Sequence, residues 1–145
     1  MHIKKAPNYH TYLLLTVDER VVLCKVLEYA KKHLDDLDLI DLIYEQGYEP
    51  EGLDESGEED EPVELWFPPI NDLIIKINSM RDNVHSLFNL FEFSVLSKAI
   101  DDVSLHIPDH PDKIINKSDW AILHHMRETT TGFITRAVNS KHENN

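Results

Sequence analysis

The sequence predicts a mainly α-helical protein, a single compact bundle of four to five helices spanning residues 1–145, with at most a minor two-stranded β element. Apolar residues recur at helical spacing in several separate segments, which is the main signal for this class. Apolar residues make up 41% of the 145-residue chain and aromatic residues 8%, enough for one packed core. Three of the four glycines lie within one acidic segment, which is expected to interrupt the bundle.

The first apolar stretch, Tyr9–Leu15, is compatible with either a strand or the entry to a helix. If it is a strand, the sequence offers Val63–Phe67 as its partner, because Val63, Leu65 and Phe67 alternate with Glu64 and Trp66. Two prolines follow directly and would end that strand.

A helix is predicted to begin after Thr16, because Thr16 and Glu19 have the spacing of a capping box. Its expected apolar face is broad, as a core helix requires. The residues of that face are Val17, Val21, Val22, Leu23, Val26, Leu27, Ala30 and Leu34. Lys31, Lys32 and His33 would complement the helix dipole at its end, and a shorter helix is predicted over 37–44.

The strongest periodicity predicts one continuous helix over 70–91. Apolar residues recur there with alternating spacings of three and four: Ile70, Leu73, Ile77, Met80, Val84, Leu87 and Phe91. Such a stripe fits either a two-stranded coiled-coil seam, and hence a homodimer through the 70–91 helix, or a central core helix. Ile74 and Phe88 widen the stripe, which favours the core helix.

Two further helices are expected toward the C-terminus. The first carries Phe93, Leu96, Ile100 and Val103 and ends before Pro108. The second starts near Asp119, with Asn116 or Ser118 as its cap, and its apolar face is Leu123, Met126, Thr130, Phe133 and Ala137. A kink or break is expected at 129–132, since three threonines and a glycine have low helix propensity.

The charge is concentrated in one part of the sequence. The chain has 27 acidic and 14 basic residues, a net charge of −13, yet residues 33–75 hold 15 acids and no Lys or Arg. The remainder is almost neutral. Within the acidic block, residues 45–64 combine acids with glycine and proline and are expected to form an exposed, mobile loop.

Several classes of function are disfavoured. Cys24 has no partner for a disulfide, and apolar neighbours make it a buried residue rather than a nucleophile. No apolar stretch approaches the ~20 residues of a membrane span. We therefore expect a soluble, cytoplasmic protein. Direct nucleic-acid binding is disfavoured because the basic residues are scattered.

An enzyme is not expected either. Hydrolase, metalloprotease and phosphate-binding motifs are absent, and Asp101 and Asp102 are interpreted as part of a solvated helix face. Histidines and carboxylates gather in two groups: His106, Asp109, His110 and Asp112, then His124, His125 and Glu128. Their spacing fits no metal motif, so no metal or cofactor is predicted. A small metal-dependent enzyme using this His-rich region remains the third hypothesis.

The preferred hypothesis is a non-enzymatic acidic protein that docks on a basic protein surface. A dense block of carboxylates can stand in for the phosphates of DNA, so an inhibitor occupying a nucleic-acid-binding groove, of the phage or plasmid accessory type, fits size and charge. The expected partner-binding residues are Asp35, Asp36, Asp38, Asp41, Glu58, Glu59, Asp60, Glu61, Trp66 and Phe67. The alternative is a structural or adaptor module in which the acidic loop is only solubilising, with Trp66 and Phe67 in the core.

Overall fold

The computed structural model describes residues 1–33, 37–39, 41–42, 68–107 and 115–143. These residues are mainly helical, as predicted, and include a small antiparallel sheet of three strands. The strands are β1 (His2–Lys5), β2 (Thr11–Leu14) and β3 (Ser86–Phe88). The helices with full bounds are α1 (Val17–Lys32), α2 (Pro68–Asn78), α3 (Leu90–His106) and α4 (Lys117–Glu143).

The sheet has the order β1-β2-β3, with both pairs antiparallel. Tyr9–Leu15 therefore supplies a strand rather than a helix entry, but the sheet has three strands instead of two. Leu13 and Phe88 are fully buried on its inner face, whereas Tyr12 pairs with the exposed Leu87 on the other. The predicted partner strand, Val63–Phe67, lies outside the described residues.

Helix α1 begins as predicted. The Thr16 hydroxyl accepts from the Glu19 backbone N–H at 3.1 Å, and the Glu19 carboxylate accepts from the Thr16 N–H at 2.9 Å. The apolar face is narrower than expected, because Val17 and Val21 are exposed. Helix α1 therefore buries one stripe, centred on Leu23, against the other helices.

The prediction of one helix over 70–91 is wrong. Helix α2 ends at Asn78, and the segment that follows turns through Asn83, whose φ is 60°. Asn, Ser and Asp in this segment favour turns over helix, and residues 86–88 bond to β2 instead of continuing a helical ladder. Ile77 is fully buried while Val84 is about half exposed, so the seven residues form no common seam for a homodimer.

Helices α3 and α4 both begin with capping side chains. On α3, Asn89 and Glu92 form a capping box that the sequence analysis did not identify. On α4, the Asn116 side chain accepts from the Asp119 N–H at 2.9 Å, which confirms Asn116 as one of the two expected caps.

The break expected at 129–132 does not occur, because α4 is continuous from Lys117 to Glu143. The hydroxyls of Thr129 and Thr130 donate to carbonyls of the preceding turn, and Thr130 is 2% exposed against the core. Tertiary packing and these bonds outweigh the low intrinsic propensity.

The core lies where α1, α2, α3 and α4 meet the inner face of the sheet. Its largest fully buried side chains include Tyr29 and Leu27 of α1, Ile70 of α2 and Leu96 of α3. Leu37 and Leu39 add to the same core from the short segment after α1. None of the described helices is both long enough and apolar enough to cross a membrane.

Candidate functional site

Two of the predicted partner-binding residues, Asp38 and Asp41, are described, and both are exposed. They flank Leu39, which is fully buried, and Leu37 next to Asp38 is 5% exposed. The Asp41 N–H donates to the Asp38 carbonyl at 3.0 Å, which tightens the segment. The leucines thus anchor the backbone and leave the two carboxylates at the surface.

The other eight predicted partner-binding residues lie outside the described residues. They are Asp35, Asp36, Glu58, Glu59, Asp60, Glu61, Trp66 and Phe67. The predicted acidic loop over 45–64 lies outside them as well.

Helix α3 supplies further carboxylates close to Asp38. Asp102 is 7% exposed and pairs with Lys98 at 3.3 Å. Burial raises the pKa of Asp102, opposed by the Lys98 charge and hydrogen bond and by the Leu39 backbone N–H, while the negative charge of Asp38 raises it further. The interpretation of Asp102 as part of a solvated face is therefore wrong, because the 37–42 segment packs over it.

Asp101 and the groove beside it complete this acidic surface. The Asp101 carboxylate accepts from Arg127 of α4 at 2.9 Å and keeps partial exposure. Between α3 and α4 a groove of about 370 Å³ is lined by Asp101, Lys98, Leu42 and five Ser or Thr residues. Hydroxyl groups can donate and accept, so this groove offers hydrogen bonds to a bound polar chain.

The part of the chain outside the acidic block, residues 33–75, is almost neutral. It holds 12 acidic and 14 basic residues, whereas residues 33–75 hold 15 acids and no Lys or Arg. Many charges outside the block are paired between elements, as in Lys25–Asp119 at 2.8 Å and Lys76–Glu92 at 3.0 Å. Asp38 and Asp41 are exposed and have no ion pair within the described part of the chain.

The cysteine has no feature of an activated nucleophile. Cys24 is half-buried rather than fully buried, and its Sγ donates to the Asn78 side chain at 3.3 Å. Burial raises the pKa of its thiol and Glu28 raises it further, against the opposing charge of Arg20. A raised pKa keeps the thiol protonated near neutral pH.

Histidines pack with aromatic rings in the described structure. The Tyr29 hydroxyl lies 2.5 Å from His106 Nδ1, and the His33 ring centroid lies 4.3 Å from that of Tyr29. His124 contacts Trp120 edge-on. Within the described ranges, no group of three or more His, Cys, Asp or Glu side chains could hold a metal ion. Asp109, His110 and Asp112 lie outside these ranges.

The contribution of α3 to the acidic surface was not predicted from the sequence. Asp102 and Asp38 are 64 positions apart in the sequence, and no local pattern relates them. The apolar residues around Asp38 and Asp41 over 37–42 are the sequence signal that these two carboxylates face outward. No protein-family model, curated protein or solved structure matches this chain.

Proposed function

We propose that this chain is a non-enzymatic acidic binding protein that docks on a basic protein surface. The observation that carries the proposal is the separation of charge: residues 33–75 hold 15 acids and no Lys or Arg, and the rest of the chain, with 12 acids and 14 bases, is almost neutral. The almost neutral part folds without strong self-repulsion, while the acidic block attracts a cationic partner.

The placement of Asp38 and Asp41 supports the proposal. Buried Leu37 and Leu39 anchor the backbone of this segment, so the two carboxylates stay at the surface and little backbone ordering is needed on binding. Asp101 and the hydroxyl-lined groove extend the same surface. The preferred partner is the nucleic-acid-binding groove of another protein, where these carboxylates would occupy the positions of phosphates.

Charge variants test the proposal against immobilised basic DNA-binding domains. One variant combines Asp38→Asn with Asp41→Asn, and a second neutralises Glu58, Glu59, Asp60 and Glu61 to Gln or Asn. The matched control combines Asp18→Asn with Glu128→Gln, two exposed acids outside residues 33–75.

Association rates are measured across a salt series, together with competition by duplex DNA. We expect at least one acidic variant to associate more slowly than the wild type, with a weaker dependence on salt, while the control is unchanged. DNA should displace the bound protein. If both acidic variants associate at the same rate as the wild type at every salt concentration, the proposal is refuted.

A further inference from the structure

A second groove, of about 500 Å³, lies where the β1–β2 turn meets the start of α3 and the C-terminal half of α4. Its lining is mostly apolar, with Pro7 and Tyr9 from the turn, Leu90 from α3 and Phe133 from α4. Tyr9 is 76% exposed and Leu90 is 58% exposed. This volume and lining are typical of sites for small organic ligands.

The turn that carries Tyr9 has an unfavourable backbone for that residue. The His10 N–H donates to the Pro7 carbonyl at 3.2 Å, and the two residues between them have positive φ, 58° at Asn8 and 62° at Tyr9. Turns of this kind favour Asn first and Gly second. Packing does not explain a tyrosine here, since its side chain is mostly exposed, and backbone strain of this sort often marks binding sites.

The charge of Lys5 favours an anion in this groove. Lys5 lines the groove, is exposed and has no ion pair within the described part of the chain. The His10 Nδ1 lies 2.9 Å from the Asn8 carbonyl oxygen. Because that oxygen can only accept, the Nδ1 proton is used within the turn, and the carboxylate is assigned to Lys5.

We propose that this groove binds a small amphipathic carboxylate, a molecule with an aromatic or short aliphatic body and one carboxylate group. The apolar body packs against Tyr9, Leu90 and Phe133, and the carboxylate accepts from Lys5 Nζ at the rim. This site goes beyond the proposed docking function. Docking uses carboxylates of the chain itself, whereas this groove binds the carboxylate of a small ligand.

The test is a titration of the full chain with 2-naphthoate, followed by backbone amide NMR shifts, with 2-naphthylmethanol as the uncharged control ligand. Saturable shifts are expected at Thr11 and Ala137, which line the groove, with a dissociation constant of about 1 mM or below. The alcohol should bind at least about fivefold more weakly, because it cannot form a charge-assisted bond with Lys5.

Matched variants separate groove binding from general surface effects. Leu90→Gln and Lys5→Gln should each weaken naphthoate binding by about fivefold or more. Leu105→Gln and Lys4→Gln should bind like the wild type, since Leu105 on the same helix is 57% exposed and neither residue lines the groove. All four positions are exposed, so wild-type spectra of the free variants are expected.

Three results would overturn the proposal. The first is the absence of saturable shifts at the groove amides, and the second is equal binding by the Leu90→Gln and Leu105→Gln variants. The third is binding of the alcohol as tightly as the carboxylate, which would remove the role assigned to Lys5.

Discussion

The guanidinium of Arg20 on α1 forms an ion pair with Asp82, in the segment between α2 and β3. The same guanidinium donates to the backbone carbonyl of Met80. Arg20 therefore ties α1 to the turn that follows α2, and this turn interrupts the helix predicted over 70–91. The Arg20 side chain is 17% exposed, whereas that of Asp82 is 63% exposed.

This asymmetry predicts unequal effects of removing the two partners. Arg20→Ala should lower the free energy of unfolding by about 1–3 kcal/mol, because a largely buried donor to two acceptors is lost. Asp82→Ala should cost less than about 1 kcal/mol, as expected for an exposed carboxylate. Urea denaturation measures both changes in the free energy of unfolding. Equal changes for Asp82→Ala and Arg20→Ala would mean that the hydrogen bond from Arg20 to the Met80 carbonyl adds no stability.

The two capping boxes predict a second pair of effects. Thr16→Ala and Asn89→Ala should each destabilise the chain by about 1 kcal/mol, since each leaves a first-turn N–H without its side-chain acceptor. Thr135→Ala, at an exposed position inside α4, is the control and should be neutral or slightly stabilising. Thermal unfolding followed by circular dichroism provides the comparison.

The interrupted apolar stripe predicts different outcomes at two of its positions. Ile77→Ala should cost about 2–5 kcal/mol, because Ile77 is fully buried in the core. Val84→Ala should change stability by less than about 0.5 kcal/mol, because Val84 is 49% exposed. Denaturant titrations give the two values, and sedimentation should show no change of oligomeric state in either variant. If the wild type is a dimer and Val84→Ala abolishes it, the coiled-coil interpretation of this stripe would be correct.

Gly132 predicts a stabilising substitution. It lies within the continuous helix α4, and a Cβ added there would meet only the end of the Arg136 side chain, at 3.9 Å. Gly132→Ala should therefore raise the free energy of unfolding by about 0.5–1 kcal/mol, the usual difference in helix propensity. A destabilised variant in thermal unfolding would mean that the helix requires glycine at this position.

Asp102 and Glu19 predict opposite dependences of stability on pH. The pKa of Asp102 is higher in the folded chain than in the unfolded chain. The stabilisation that results from this difference is fully present below the unfolded pKa and is lost as pH rises through the folded pKa. Asp102→Asn remains neutral at every pH. The variant should therefore gain stability relative to the wild type as pH rises from strongly acidic to neutral.

Burial alone would raise the pKa of Glu19, but hydrogen bonds from the terminal ammonium and from Thr16 outweigh it, so this pKa is lowered. The stabilisation that ionised Glu19 gives to the folded chain is present at neutral pH and is lost as pH falls through the folded pKa. Glu19→Gln should thus be less stable than the wild type at neutral pH, with the difference closing in acid. Urea denaturation over a pH series measures both variants, and parallel pH profiles for the two would contradict these pKa directions.

Part of the site could be anticipated from the sequence and part could not. The exposure of Asp38 and Asp41 follows from their position among apolar residues over 37–42, which is a local property. The burial of Asp102 beneath the same segment depends on how α3 packs, and neighbouring residues do not indicate it. The groove at the β1–β2 turn likewise joins residues from the two ends of the chain.

The sequence by itself determined the features that depend on neighbouring residues. Thr16 and Glu19 set the start of α1, and the apolar spacing from Phe93 to Val103 defined the face of α3, since capping and helical periodicity act within a few residues. The separation of the acidic residues from a balanced remainder was also readable directly.

Only the tertiary structure decided where helical periodicity gives way to another structure. Residues 86–88 leave the apolar stripe because β2 offers them backbone partners, and β1 pairs with β2 although its own residues are mostly exposed. Thr129 to Gly132 remain helical because the core packs against Thr130. In each case, bonds or packing with residues outside the element itself outweigh local preferences of about 1 kcal/mol or less per residue.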